Sequence, residues 1–205
     1  MERRYCIHKV LRTTIGLLIP FMLLSCGETE RLRAGDLLFH VSAESNAITS
    51  VTAGMIDHVA IVLNCDSVIE AVGRGVVTTP IDSLRKQEGH YLLARIKCSS
   101  KEKPDIAASL VNARGYLGRA YDRLYLPDNE EIYCSELVQL SFVSQQGKRL
   151  FAPVPMSFHD SNGEITSYWK AFYEKHQMDV PEGEPGTNPN EMIQREIIRI
   201  IGKLK

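Results

Sequence analysis

The spacing of apolar residues changes near Pro104, and no other feature constrains the fold as much. Before that point lie five short runs rich in Val, Ile and Leu: Asp36 to Val41, His58 to Leu63, Ser67 to Val72, Gly75 to Thr79 and Tyr91 to Lys97. Turn residues separate them, so the pattern predicts strands. Asn64-Cys65-Asp66 between the second and third marks a hairpin, and the small, polar segment Ala43 to Ile56 reads as a loop or a short helix. After it, Ile106, Leu110, Ala113 and Leu117 follow helical spacing, with Pro104 suited to the first turn and Gly118 to the end. A second helix is expected over Tyr133 to Gln146, with apolar residues all round it and therefore buried. Pro181 to Asn190 is too rich in Pro and Gly to be anything but a loop. The tail from Glu191 fits a helix better than a strand, although Ile197-Ile-Arg-Ile-Ile201 has the composition of an edge strand. Strands followed by helices predict a single α+β domain over residues 35–205.

The N-terminus carries an address. Arg3, Arg4, Lys9 and Arg12 precede the apolar run Ile15 to Leu24, which falls short of the ~20 residues that span a bilayer. A basic segment, a short apolar segment and small residues make up a secretory signal peptide. The run ends in Leu23-Leu24-Ser25-Cys26, which resembles the bacterial lipobox, whose cysteine becomes the lipid-bearing first residue of the mature chain. Residues 1–25 then read as a lipoprotein signal peptide and 26–34 as a short tether after a lipidated Cys26. The domain is expected outside the cytoplasm, held to the cell envelope by its lipid, on the outer membrane if the cell has one. The alternatives are an uncleaved anchor or a secreted soluble protein with a chance cysteine. The 24 basic residues against 25 acidic leave no excess of positive charge for phosphates, so a nucleic-acid partner is not expected.

Many common sites are absent. The chain has no Cys-x-x-Cys pair, no His-Glu-x-x-His, no calcium-loop carboxylates, no Gly-x-Ser-x-Gly elbow and no phosphate-binding glycine loop. The motifs give no basis for a metal or a cofactor. Of the cysteines after Cys26, Cys65 and Cys98 each follow an apolar run and are either a disulfide pair or two free thiols.

The third, Cys134, lies where an acidic loop passes into the second helix. A thiol in a first helical turn feels the positive end of the helix dipole, which favours the thiolate; the plain alternative is a buried core thiol. His58 opens a strand, where an imidazole can face a cleft and exchange the thiol proton. His40 ends another strand and is its rival. Glu70 interrupts the otherwise apolar Val68 to Val72, and a carboxylate there needs a partner unless its face is solvated. Side chains alternate along strands, so the hairpin brings Glu70 to the face of His58 only if its loop is odd or bulged. A thiol, an imidazole and an orienting acid are the working set of cysteine hydrolases.

These residues sit within a series of segments: Gly35-Asp-Leu-Leu-Phe39, Asp57-His-Val-Ala-Ile-Val62, Ile69-Glu-Ala-Val72 with Gly75-Val-Val77, Gly118-Arg-Ala-Tyr-Asp122, Tyr133-Cys-Ser-Glu-Leu-Val138 and Pro185-Gly-Thr-Asn-Pro189. In that order they resemble the YiiX-like branch of the NlpC-type cysteine hydrolases. The resemblance implies a circularly permuted papain-like fold, mainly an antiparallel sheet packed against helices, which accounts for a nucleophile that follows its base. It implies Cys134 as nucleophile, His58 as base and Glu70 as the third catalytic residue. Tyr121 and Asp122 match the pattern without an evident role, a structural turn being the plainer reading, and Glu136 is a helix-surface or supporting residue, or a carboxylate that tunes the nucleophile two positions away.

The implied activity is cleavage of an amide bond through an acyl-enzyme, with no cofactor, on a small peptide or amide such as a cell-wall stem peptide. Two alternatives remain: a lipid acyltransferase or lipid-amide hydrolase on the same fold, and a catalytically inactive binding lipoprotein.

Overall fold

The structure is a computed structural model that describes residues 32–98 and 103–204. The expected signal peptide, Cys26 and most of the tether lie outside the described residues. Among those described, no helix is long and apolar enough to cross a membrane.

Six strands form one antiparallel sheet: β1 (Leu37–Val41), β2 (Ile56–Val62), β3 (Ser67–Val72), β4 (Gly75–Pro80), β5 (His90–Ile96) and β8 (Ile198–Lys203), in the order β4-β3-β2-β1-β5-β8. A short helix α1 (Ile81–Leu84) follows β4, and α2 (Ile106–Gly115), α3 (Cys134–Ser141), α4 (Ser167–Lys175) and α5 (Pro189–Ile193) complete the helices. A two-residue pairing, β6 (Val154–Pro155) with β7 (Pro185–Gly186), ties two loops together. The family fold and the observed layers agree with the α+β expectation.

Alternation along the strands sorts the core. Leu37, Phe39, Val59, Ile61, Ile69 and Ala71 face one way, against Leu110 of α2, Leu137 and Val138 of α3 and Met192 of α5. Leu38, Ala60, Val62 and Val68 face the other, against Ile81 and Leu84 of α1. Each large apolar side chain fully buried in these layers contributes about 1.5–3 kcal/mol. Gly35 opens β1 at φ +86°, where a Cβ would strike Ile106. Beside it Asp36 is buried and held by Arg95 through Nε at 2.6 Å and Nη2 at 2.8 Å.

Three expectations need correction. Residues 198–203 are an edge strand on β5 and not helical, because their backbone pairs with the edge of β5, Ile198 opposite Ile96 and Ile200 opposite Ala94; the helix ends after Ile193. The α3 helix stops at Ser141, short of Gln146, since Phe142 is already extended and Val143 bridges Arg149. The 181–190 segment, expected as a loop, carries β7 and the first turn of α5, with Pro189 at the helix start and the Asn188 side chain capping Glu191 N at 2.8 Å. Cys65 and Cys98 are both free and exposed, so of the two sequence alternatives the structure shows free thiols.

Candidate active site

The β2–β3 register places Val62 opposite Val68 and Ile61 opposite Ile69. The five residues 63–67 between them make an odd loop, so Glu70 and His58 share a face, the condition set by alternation. Their side chains meet: His58 Nε2 donates to Glu70 Oε2 at 2.7 Å. The Glu70 side chain is 4% exposed and that of His58 18%, so solvent screens the pair little.

Cys134 is the first residue of α3 and is 5% exposed. The helix begins there because Tyr133 is extended and its backbone N–H donates back to Glu136 Oε2 at 3.3 Å. Cys134 lies close enough to the His58 ring to favour its charged form. With Nε2 spent on Glu70, Nδ1 is the nitrogen left for sulfur. Burial opposes a charge on His58, yet the hydrogen bonds to Cys134 and Glu70 and the attraction of both hold its pKa at about 10. Burial also works against the Glu70 charge, but His58 overcomes it and keeps the carboxyl below its ordinary range. The structure therefore brings together Cys134, His58 and Glu70.

His40, the rival, is engaged elsewhere. Its Nδ1 pairs with Asp57 Oδ1 at 2.6 Å and its Nε2 with the Glu88 carbonyl at 2.7 Å. Asp57 is the extra residue of a bulge, since His40 faces His58 while Val41 faces Ile56. Asn46 Nδ2 binds its other oxygen at 2.6 Å.

A cleft opens at Cys134. Ile48, Val51, Met156, Phe158 and Trp169 line it with Tyr121, Tyr125 and Tyr133, and among the described residues Asp57 is the only charged one on its wall. Burial pushes the Tyr121 phenol far up and that of Tyr125 to about 12, so both stay protonated. Asp122 has a structural role: its carboxylate accepts the N–H groups of Leu124, Tyr125 and Leu126 at 2.8, 2.8 and 2.9 Å. It thereby builds the loop that holds Tyr125 at φ 52° against Tyr133 and Trp169. Glu136 supports the helix start, and burial raises its carboxyl to about 7.

Sequence reasoning missed the cleft wall, because its residues come from separate loops with no common period. Trp169 and Tyr173 at helical spacing behind the capping Thr166 were the available signal for α4. Asn190 was missed too. Its buried side chain accepts from Ile56 N at 3.0 Å and donates to Ile56 O at 2.7 Å, fixing the chain two residues before His58.

Residues 31–202 match the family of permuted papain-like amidase enzymes, YaeF/YiiX, C92, and the chain belongs to that family of papain-like cysteine amidases. Among solved structures it is similar to the metalloprotein YiiX from Escherichia coli O157:H7, with 23% identity and a TM-score of 0.68 over 85% of this chain and 98% of that one. No curated protein matches the chain. As to a metal ion, no three His, Cys, Asp or Glu side chains among the described residues are grouped to hold one, and His58 and Glu70 are committed to each other. These residues do not fit a metal centre.

Proposed function

We propose that the protein is an amide hydrolase in which Cys134 is the nucleophile, His58 the proton carrier and Glu70 the acid that orients it. The supporting observation is the His58 ring, bonded to Glu70 at 2.7 Å and interacting with Cys134, which lines the cleft. His58 takes the Cys134 proton, sulfur attacks the carbonyl carbon, the C–N bond breaks as His58 gives that proton to the leaving amine, and a thioester remains. Water, deprotonated by the same imidazole, then releases the acid and restores the thiol. The oxyanion forms against the N–H groups of the α3 first turn, which have no acceptor within the helix.

The lipobox-like Leu23 to Cys26 supports a lipid-anchored, extracytoplasmic enzyme, a setting in which cell-wall stem peptides or related amino-acid amides are the substrate. One observation favours a second substrate class: a largely apolar, aromatic cleft suits an acyl chain, as in cleavage or transfer on a lipid amide. Mass spectrometry of the purified protein incubated with defined stem peptides and lipid amides separates the two. A peptide-derived adduct on Cys134 supports the first and a fatty-acyl adduct the second. Undiminished turnover by purified Cys134→Ala would refute both.

A further inference from the structure

A carboxylate that orients a catalytic imidazole needs to be held on its far side as well. Thr79 of β4 pairs with Val68, two residues from Glu70, and so lies on the same face of the sheet. It is 5% exposed. Its hydroxyl is one of the groups that favour the Glu70 anion, and it accepts from Arg74 Nη2 at 3.4 Å.

Arg74 stands in the two-residue turn Gly73–Arg74 that joins β3 to β4. That turn is fixed from outside: Arg123 Nη2 donates to Gly73 O at 3.1 Å and Val76 N to Arg119 O at 2.8 Å. Gly75, at φ +100°, lies so close to the Arg119 carbonyl that a Cβ would collide with it. Among the described residues neither Arg74 nor Arg123 has a carboxylate partner at ion-pair distance. The Arg74 charge is therefore left to act on Thr79 and Glu70.

We propose that Thr79, backed by Arg74, is a positioning residue of the hydrolase, clamping Glu70 so that its near oxygen stays on His58. The inference rests on the reading of Cys134, His58 and Glu70 given above and adds two members to that set. The order is Arg74, Thr79, Glu70, His58, Cys134, and it crosses the sheet from its β4 edge to the head of α3. Three groups around Glu70 favour its anion: His58 from β2, Thr79 from β4 and the Arg74 guanidinium from the turn. From β5, the Tyr91 phenol senses the same charge. A threonine needed only for strand packing would be replaced by valine without consequence.

The test is an NMR titration of the Glu70 carboxyl carbon and the His58 ring in full-length wild type, Thr79→Val, Thr79→Ser and Arg74→Gln. Thr79→Val raises the Glu70 midpoint by about 0.5–1 pH unit and lowers that of His58. Thr79→Ser, which keeps the hydroxyl, titrates as wild type, and Arg74→Gln gives a smaller shift in the same direction. Wild-type titration in Thr79→Val, or an equal shift in Thr79→Ser, overturns the clamp. Iodoacetamide labelling of the wild type addresses the underlying reading separately. If Cys134 reacts no faster than Cys65, the hydrolase assignment fails while the titration still decides the clamp.

Discussion

Asn190 treats Ile56 as a neighbouring strand would: its Oδ1 accepts the Ile56 N–H at 3.0 Å and its Nδ2 donates to the Ile56 carbonyl at 2.7 Å. The same nitrogen reaches Thr52 Oγ1 at 2.6 Å. One amide thus satisfies a strand end that has no sheet partner beyond Val41, and it does so two residues before His58. Asn190→Ala leaves buried backbone groups unpaired, so it is expected to cost about 2–3 kcal/mol. Urea denaturation measures this, and a loss below about 0.5 kcal/mol would show that water replaces the amide.

The pH range of activity follows from the His58 pair. His58 is raised from 6.5 to about 10, so its charged interactions stabilise fully below pH 6.5 and are lost as pH rises through about 10. Glu70 is lowered, so its contribution is present above 4.5 and is lost as pH falls through the depressed value. The alkaline limb of kcat/KM is expected near pH 10, and Glu70→Gln moves it toward neutrality by about one unit or more. A limb that stays in place in the pH–rate profile contradicts the pairing as a source of the imidazolium.

The two strand histidines should separate in kinetics. His58→Ala removes the proton carrier and is expected to lower kcat/KM by about 10²–10⁴-fold. His40→Asn disturbs only the Asp57 pairing and the Glu88 contact, with an expected loss under about tenfold. Steady-state kinetics of both variants on one substrate decide the matter, and equal losses would return His40 to contention.

Ser141 Oγ is the buried side-chain polar atom without a hydrogen-bond partner among the described residues. It ends α3, where Ala has the better helix propensity. Ser141→Ala is expected to stabilise the protein by about 0.5–1 kcal/mol, read as a rise in Tm with unchanged amide hydrolysis. A fall in Tm would mean that an ordered water serves the hydroxyl.

The paired Asp36 and Arg95 make a further stability test. Asp36 is almost wholly buried and chelated by the guanidinium. Arg95→Leu strands its charge and should cost about 3 kcal/mol or more. The double variant with Asp36→Asn recovers part of that loss, which a denaturation cycle would measure; strict additivity would mean that the two groups do not interact.

Much of this was legible in the chain because it depends on local spacing. The first five strands and α2 follow from period and turn residues, and an odd hairpin loop was the stated condition for Glu70 to meet His58. The tail was misread because Ile197 to Ile201 suits a helix or a strand equally, and only the free edge of β5 decides between them. The cleft could not be read at all. Ile48, Phe158 and Trp169 are ordinary apolar residues until a bulge, a tyrosine loop and α4 bring them to one wall.

Leu32 and Leu204 pack against the same group of side chains beneath the sheet, beside Ile201. Both thus belong to one apolar layer, along which a linker would join them. Opening the covalent path instead between β5 and α2 would yield a protein with the thiol ahead of the imidazole, the order of ordinary papain-like enzymes, and with every contact of the sheet retained. The order of thiol and imidazole along the chain is thus a matter of connectivity, and the sheet that carries them does not depend on it.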